Sequence, residues 1–433
     1  VFLTVVGFPE GRQTAFAETY VLDALSVTLK IFLLLVVAAS FFYAREYFTN
    51  KNLERNEFFI LAIFSTLGMM VLISAQSLLT VYLGLELLSL SLYAMVAMER
   101  DSVAAAEAAM KYFVLGALAS GMLLYGMSML YGVSGTLNLS ELAEQTIGGE
   151  KNLLFTFGLV FVLVGIAFKL GLAPFHMWVP DVYQGASLPT TLFISSAPKI
   201  AAFAMAVRVL IDGLPGLIAQ WSDMLIILSV ASIAVGNVVA IAQTNIKRML
   251  AYSTISHMGF LLLGLIAVTN QGYAASMFYV FVYSLASMSA FGFIILATGS
   301  GSELNLIEDY SGLGKQKPLL GFLGMVVLFS LAGIPPFGGF WAKWFVLKEL
   351  VASGHVWLAA VAVVFSLVGA YYYLRVIKVI FFDEPRNSER PASSRGMGTI
   401  IFGINTSAIM FIGLFPGILM GICLAAMSIY GAP

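Results

Sequence analysis

The sequence predicts an all-α polytopic membrane protein with about twelve transmembrane helices. Of its 433 residues, 60% are apolar and only 10% are charged, and the mean hydropathy is +0.95. Soluble domains carry about 25% charged residues, so the low charged fraction indicates that lipid is the main solvent of this chain. The formal net charge of −1 argues against a basic surface for nucleic acid.

The spans can be placed by length, because a membrane-spanning helix needs about 20 mostly apolar residues. The division between the second and third spans is the least secure, since residues 75–80 are only weakly polar. Residues 174–187 are semi-polar and are expected to lie partly in the membrane. The twelve predicted spans are 21–44, 58–76, 78–98, 107–131, 153–173, 188–210, 222–243, 249–268, 272–298, 319–350, 356–382 and 397–429.

The charges of the loops predict the orientation, since Lys and Arg stay mainly on the cytoplasmic side. The even-numbered loops carry only Lys151. The odd-numbered loops carry eleven basic residues: Arg45, Lys51, Arg55, Arg100, Lys247, Arg248, Lys315, Lys317, Arg386, Arg390 and Arg395. We call this side the basic face. The asymmetry predicts that both termini lie on the opposite, periplasmic-type face.

Two spans are interrupted by proline, which removes a backbone donor and clashes with the preceding helical turn. The tenth contains GIPPFGG at residues 333–339, and LAPFHMW follows the fifth at residues 172–178. The interruptions lie five spans apart, which predicts two inverted five-helix repeats. In such repeats, discontinuous helices mark ion sites near the midplane. The predicted divisions are an N-terminal segment and first helix at 1–57, repeats at 58–210 and 222–382 around a linker at 211–221, and a loop and last helix at 383–433.

Several charged residues fall inside the spans, where an ionised group costs about 2.5–3.5 kcal/mol or more. Four lie near span ends and are expected to extend to the interface: Arg208, Lys348, Arg375 and Lys378. Six lie deeper: Lys30, Glu86, Lys111, Lys169, Lys199 and Lys343. A set of buried lysines with a glutamate exceeds what helix packing requires, and it favours a charge-moving function.

Lys169 is the best single candidate, since it precedes the break at Pro174, with Glu86 as its natural counter-charge. Lys199 follows Pro198 in mid-span, and Lys343 lies beyond the second break. The plainer interpretations are a lysine bonded to local carbonyls for Lys199 and an interfacial lysine for Lys343.

Two further candidates have equally plain interpretations. Lys111 lies near a span end, where extension to the interface is almost as good an explanation. His257 is surrounded by hydroxyl residues in mid-span and is a candidate proton relay, because histidine titrates near neutral pH. The plainer interpretation is a histidine satisfied within the core.

No cofactor is expected in this chain. Cys423 is the only cysteine, which excludes an internal disulfide and any multi-cysteine zinc or iron–sulfur site. The three histidines have no metal-ligand spacing, and no dinucleotide-binding fingerprint is present. Any redox chemistry that this chain serves would therefore take place elsewhere.

Five strings of sequence resemble the antiporter-like membrane subunits of respiratory complex I, the NADH–quinone oxidoreductase. The strings PDVYQGA and AQTNIKR resemble the N type more than the L or M types. The five are GLELLSLSLYA at 84–94, FKLGLAPFHMWVPDVYQGA at 168–186, AQTNIKRMLAYSTISHMGF at 242–260, LAGIPPFGGFWAKW at 331–344 and YYYLR at 371–375.

The resemblance implies roles for the charged residues. Glu86 matches the glutamate of an ion pair and Lys169 its lysine, while Lys199 matches a central lysine. Lys343 matches the lysine of the second broken helix, toward the exit of the proton path. The resemblance further implies that Lys111 belongs to the charged axis and His257 to a central polar chain.

The resemblance also implies an assembly in the bacterial inner membrane. FMN, iron–sulfur clusters and quinone would belong to the complex, and the neighbours would be antiporter-like M-type and small K- and J-type subunits. Bacterial members have fourteen helices, so the chain is expected to lack the first and most of the second, with residues 1–8 as a remnant.

Three competing functions remain open from the sequence. A Mrp-type cation/proton antiporter subunit would share the broken helices and lysines. The remaining two are a quinone-binding subunit and a purely structural spacer, although a spacer has no need of buried lysines.

Overall fold

The computed structural model describes residues 4, 11–148, 153–301, 303–385 and 396–428. Within these ranges the chain is helical except for its turns and one short antiparallel hairpin. Eleven of the described helices are long and apolar enough to cross a membrane, so the predicted all-α membrane class is confirmed. The predicted remnant at residues 1–8 lies, apart from Thr4, outside the described residues.

The N-terminal part of the described chain runs from the hairpin to the first interruption and the helix after it. Its elements are β1 (Gln13–Ala15), β2 (Tyr20–Leu22), α1 (Ala24–Asn50), α2 (Asn56–Ile73), α3 (Leu78–Val96), α4 (Val103–Ser134), α5 (Leu139–Gly148), α6 (Leu153–Leu170), α7 (Trp178–Gly185) and α8 (Leu188–Ala206). A π-helical turn, Val207–Gly213, continues α8.

The C-terminal part contains the second interruption. Its helices are α9 (Ile218–Ile241), α10 (Ile246–Ile266), α11 (Asn270–Thr298), α12 (Leu313–Gln316), α13 (Pro318–Ala332), α14 (Gly338–Ala352), α15 (Val356–Phe382), α16 (Met397–Leu414) and α17 (Pro416–Met427). The predicted tenth span is therefore two short helices, α13 and α14. The predicted twelfth is also divided, at Pro416, where the sequence pattern did not predict a break.

Three helices form the core of the bundle. In the apolar 18-residue stretches of α8, α10 and α11, 94% of the residues are buried inside the protein. In those of α4, α15 and α16, only 33% are buried. Helices that are apolar on every face are typical of such central positions. Lys199 on α8 and His257 on α10 are therefore held in the interior.

The two interruptions share one backbone design. Helix α6 ends before Gly171, with φ of 81°, and α13 ends before Gly333, with φ of 83°. Glycine adopts this left-handed conformation without the steric cost that a Cβ brings. The Ala173–Pro174 and Pro335–Pro336 peptide bonds are both cis. Both predicted interruptions are confirmed, while the inverted relation of the repeats and their limits stay predictions.

Arg208 corrects one prediction of the sequence. It was expected to extend to the membrane interface, but its side chain is fully buried. Its guanidinium lies 2.7 Å from Asp23 and 2.9 Å from Asp212. The prediction is wrong because these two carboxylates neutralise the charge inside the protein. Lys348 and Lys378, by contrast, reach the exterior, with side chains 59% and 68% exposed.

Candidate functional site

Glu86 and Lys169 line one small cavity between α3, α4 and α6. The cavity has a volume of about 10 Å³, comparable to one water molecule. Ser89, one turn after Glu86 on α3, accepts a hydrogen bond of 2.9 Å from the Lys169 amine. Glu86 instead accepts from Ser120 on α4. The two charged groups thus share a cavity that Ser89 also lines, and no direct ion pair joins them.

The Lys199 amine lies at the first interruption. It donates to the carbonyl oxygen of Leu170 at 2.8 Å and to that of Lys169 at 3.4 Å. These carbonyls are the last of α6 and have no partner within their own helix. A cation here also interacts favourably with the negative end of the helix dipole. Lys199 is therefore bonded to carbonyls, as the plainer interpretation held, but to those of the helix that carries Lys169.

Lys343 has the same arrangement at the second interruption. Its amine donates to the carbonyl oxygen of Ala332, the last residue of α13, at 2.9 Å. It also donates to Ser366 on α15 at 2.8 Å, and it lies 5.1 Å from the centre of the Phe260 ring. At each interruption, the last carbonyl oxygen of the helix before the break therefore accepts a hydrogen bond from a lysine amine. Lys343 lies at the interruption and not at the membrane interface.

Side chains pack closely against the two left-handed glycines. A Cβ on Gly171 would lie 2.8 Å from a methyl of Val179 and 3.7 Å from the Lys199 amine. A Cβ on Gly333 would lie 2.9 Å from Cδ of Lys343. Glycine is thus required at both positions by the backbone and by the side chains packed against it.

His257 joins three helices near the second interruption. Its Nδ1 lies 2.7 Å from the hydroxyl of Tyr279 on α11, and its Nε2 lies 3.1 Å from that of Tyr373 on α15. A cavity of about 10 Å³ connects the imidazole with Ser330 and Gly339 at the break. Both ring nitrogens have partners, so His257 is satisfied within the core. The same phenols are groups that can pass a proton to or from it.

Lys111 does not join this row of buried groups. Its side chain is 44% exposed and lies 2.8 Å from Asp181 and 2.7 Å from Glu107. Asp181 also pairs with Arg248 at 2.6 Å. This cluster lies near the basic face and joins the PDVYQGA and AQTNIKR strings, which are far apart in the sequence.

Four polar partners in this region were not predicted from the sequence. Their types are common in membrane helices, so no signal in the sequence distinguishes them. They are Ser89, Ser366, Tyr279 and Tyr373. Lys30 is also placed among hydroxyls, since its buried amine donates to Tyr20 at 2.6 Å and to Ser74.

Several side chains in the interior near the two interruptions are thus titratable. They comprise lysine amines, the His257 imidazole, tyrosine phenols and the Glu86 carboxylate. They form short hydrogen-bonded segments within the described residues. Each can donate or accept a proton. Among the same residues, no group of three or more His, Cys, Asp or Glu side chains is placed to hold a metal ion. The broken helices and the amines at their ends define an antiporter-like membrane protein.

Comparison with known proteins agrees with this class. The family model described as "NADH:quinone oxidoreductase/Mrp antiporter, TM" matches residues 75–369. NADH-quinone oxidoreductase subunit N of Thiobacillus denitrificans is 53% identical over 99% of this chain and 88% of its own length. The subunit N of Nitrosomonas europaea is 54% identical over 97% of this chain and 87% of its own length. The chain belongs to the antiporter-like membrane subunit family of NADH–quinone oxidoreductase, in its subunit N branch.

Solved structures agree on the fold. A chain of respiratory complex I from Thermus thermophilus has a TM-score of 0.82 and 34% identity, with coverage of 97% of this chain and 90% of that chain. A chain of the Mrp complex from Dietzia has a TM-score of 0.83 at 23% identity, with coverage of 94% and 84%. At that identity the second likeness concerns the fold alone.

Proposed function

We propose that this chain is a proton-translocating membrane-arm subunit of NADH–quinone oxidoreductase. The observation that carries the proposal is the hydrogen bond that the Lys199 amine donates to the backbone carbonyl oxygen of Lys169. Two buried lysines that belong to one hydrogen-bonded unit respond to each other's charge, which a proton-transfer path requires. The subunit N relatives support the setting of this path in a respiratory complex.

The proposed path begins at Glu86 and Lys169, which exchange a proton through Ser89 or a water in the shared cavity. Lys199 receives the charge next, because its amine is bonded to the end of α6, the helix that carries Lys169. His257 links the centre to Lys343 at the second interruption. Lys111, with Asp181, is assigned to the approach from the basic face and not to the buried row.

The driving reaction takes place in other subunits. FMN and iron–sulfur clusters would carry the electrons and quinone would accept them, while this chain moves only protons. Its proposed partners are the antiporter-like M-type subunit and the small K- and J-type subunits. We place it in the bacterial inner membrane with both termini on the periplasmic side, as the basic loops indicate.

Substitution in the shared cavity tests the proposal. Lys169→Ala and Glu86→Ala should each lower proton pumping by the assembled complex roughly tenfold or more, as loss of a proton-transfer group does. Quinone reductase activity coupled to pumping should fall as well. Lys378→Ala, which removes an exposed lysine, is the matched control. Normal pumping in both cavity variants would refute the assignment.

A Mrp-type cation/proton antiporter subunit is the second candidate, since the matching family model names both groups. Purification of the native assembly separates the two. Flavin and iron–sulfur subunits that co-purify with the chain support the complex, whereas small hydrophobic subunits alone would favour the antiporter.

A further inference from the structure

A cleft opens on the membrane-facing side of α2 and α3, at the basic face. The backbones of the two helices are in close contact at Gly68 and Gly84. A Cβ on Gly68 would lie 2.5 Å from the backbone nitrogen of Leu88, and one on Gly84 would lie 2.8 Å from that of Leu72. Nearer the basic face the helices part, and they leave a cleft of about 650 Å³. This site lies apart from the buried row of amines.

Cationic and apolar side chains line different depths of the cleft. Arg55, just before α2, and Arg100, just after α3, lie at its outer end. The walls consist of Ile60, Leu61, Ala94, Ala97 and Met98. Ile60 is five residues beyond Arg55, so at 1.5 Å per residue it lies about 7.5 Å deeper.

The charge of the cleft is positive. Two guanidinium groups and one carboxylate, that of Glu57, line it. In the described part of the chain, neither Arg55 nor Arg100 has a side-chain hydrogen bond or a close ion pair, although Arg55 interacts electrostatically with the carboxylate of Glu99. Their donors are therefore free to bind an anion, which guanidinium does well when the anion is a phosphate.

The surface below the cleft is apolar. Ile60, Ile63, Phe64 and Leu67 form a stripe along α2 and are 49–58% exposed. The spacing i, i+3, i+4, i+7 places them on one face of the helix. An occupant of the cleft thus meets two cations at headgroup depth and an apolar track at hydrocarbon depth.

We propose that this cleft binds an anionic phospholipid, with its phosphate between Arg55 and Arg100 and one acyl chain along α2. Basic pockets between membrane helices on the cytoplasmic side bind anionic headgroups in this way. A zwitterionic lipid fits the apolar track equally well, but its added cation opposes the two arginines. The site therefore selects for headgroup charge.

Quenching by brominated lipids tests the site in the assembled complex. Ala94→Cys is labelled with bimane, since the native Cys423 of this chain is fully buried, and the signal from a complex labelled without this substitution is subtracted. The complex is then reconstituted with dibrominated phosphatidylglycerol or dibrominated phosphatidylcholine. We expect half-maximal quenching at a lower fraction of phosphatidylglycerol, by about fivefold for each arginine that contributes.

The control variants remove the same charge from different places. Arg55→Gln with Arg100→Gln should abolish the preference for phosphatidylglycerol. Arg45→Gln with Lys378→Gln, on the same face but outside the cleft, should keep it. Equal quenching by the two lipids, or a preference that survives loss of both cleft arginines, would overturn the proposal. Absence of bimane quenching by either lipid would also overturn the proposal, because a neighbouring subunit would then cover the cleft.

Discussion

The Lys199 amine lies 2.8 Å from the carbonyl oxygen of Leu170. This contact gives one side chain two roles, as the cap of α6 and as a titratable group beside Lys169. The roles can be separated, because capping needs a hydrogen-bond donor and proton transfer needs a group that can lose its proton.

Lys199→Arg and Lys199→Met form the pair that separates these roles. Arginine keeps the donor but stays charged at any accessible pH, so we expect an assembled complex without proton pumping. Methionine should also abolish pumping, and it should lower stability by about 1–3 kcal/mol because the carbonyls lose their partner. Pumping by vesicles, normalised to the amount of assembled complex, measures the first effect, and the thermal midpoint of the complex measures the second. Pumping retained in either variant would remove Lys199 from the path.

The glycines of the two interruptions should not tolerate a side chain. Gly171→Ala and Gly333→Ala each impose a left-handed backbone on alanine, at about 1–2 kcal/mol, and a contact shorter than 3 Å. We expect a lower thermal midpoint for both variants, and for Gly333→Ala a loss of pumping through displacement of Lys343. Gly121→Ala, on α4 with open space around it, is the control and should be neutral or slightly stabilising. An unchanged midpoint in both break variants would contradict the prediction.

Arg208 should be essential for stability. Arg208→Met leaves the buried carboxylate of Asp23 without its ion-pair partner and Asp212 with only the more distant Arg12, at 3.8 Å, and loss of one partner of a buried pair costs about 3–5 kcal/mol. We expect poor assembly of the complex on native gels. Addition of Asp23→Asn and Asp212→Asn should recover much of the assembly, because the unpaired charges are then gone. If the triple variant assembles no better than the single one, charge is not the cause.

His257 should affect pumping more than stability. His257→Gln keeps a polar side chain beside Tyr279 and Tyr373 but cannot titrate, so we expect pumping to fall roughly tenfold or more while assembly is retained. His355→Gln, between α14 and α15, is the matched control and should pump normally. Equal pumping by the two variants would mean that His257 is only a core residue.

The spans and the interruptions could be predicted from the sequence because both depend on local chemistry. About twenty apolar residues are enough to form a span, and proline combined with a nearby glycine favours a break in a helix, whereas Pro198 alone leaves α8 continuous. The cost of a buried charge is equally local, which is why Glu86, Lys169, Lys199 and Lys343 could be selected. The extra break at Pro416 was missed although Gly413 and Gly417 flank it, because residues 397–429 contain no charged residue and are long enough for one span.

The partners of the charged groups could not be predicted in the same way. Ser89 bonds to Lys169 from 80 residues away, and Asp23 pairs with Arg208 from 185 residues away. Such pairs depend on how each helix is rotated about its axis. The central helices are apolar on every face, so hydrophobic periodicity carries no information about that rotation.

Asp181 is held by Lys111 from α4 and by Arg248 from the start of α10. One carboxylate therefore balances cations from the N-terminal and the C-terminal parts of the chain. Without Asp181, Lys111 keeps the carboxylate of Glu107 at 2.7 Å, whereas Arg248 keeps only the neutral amide of Gln184 at 3.1 Å. We therefore expect Asp181 and Arg248 to change together in evolution, which would tie the two parts of the molecule in their divergence at this point.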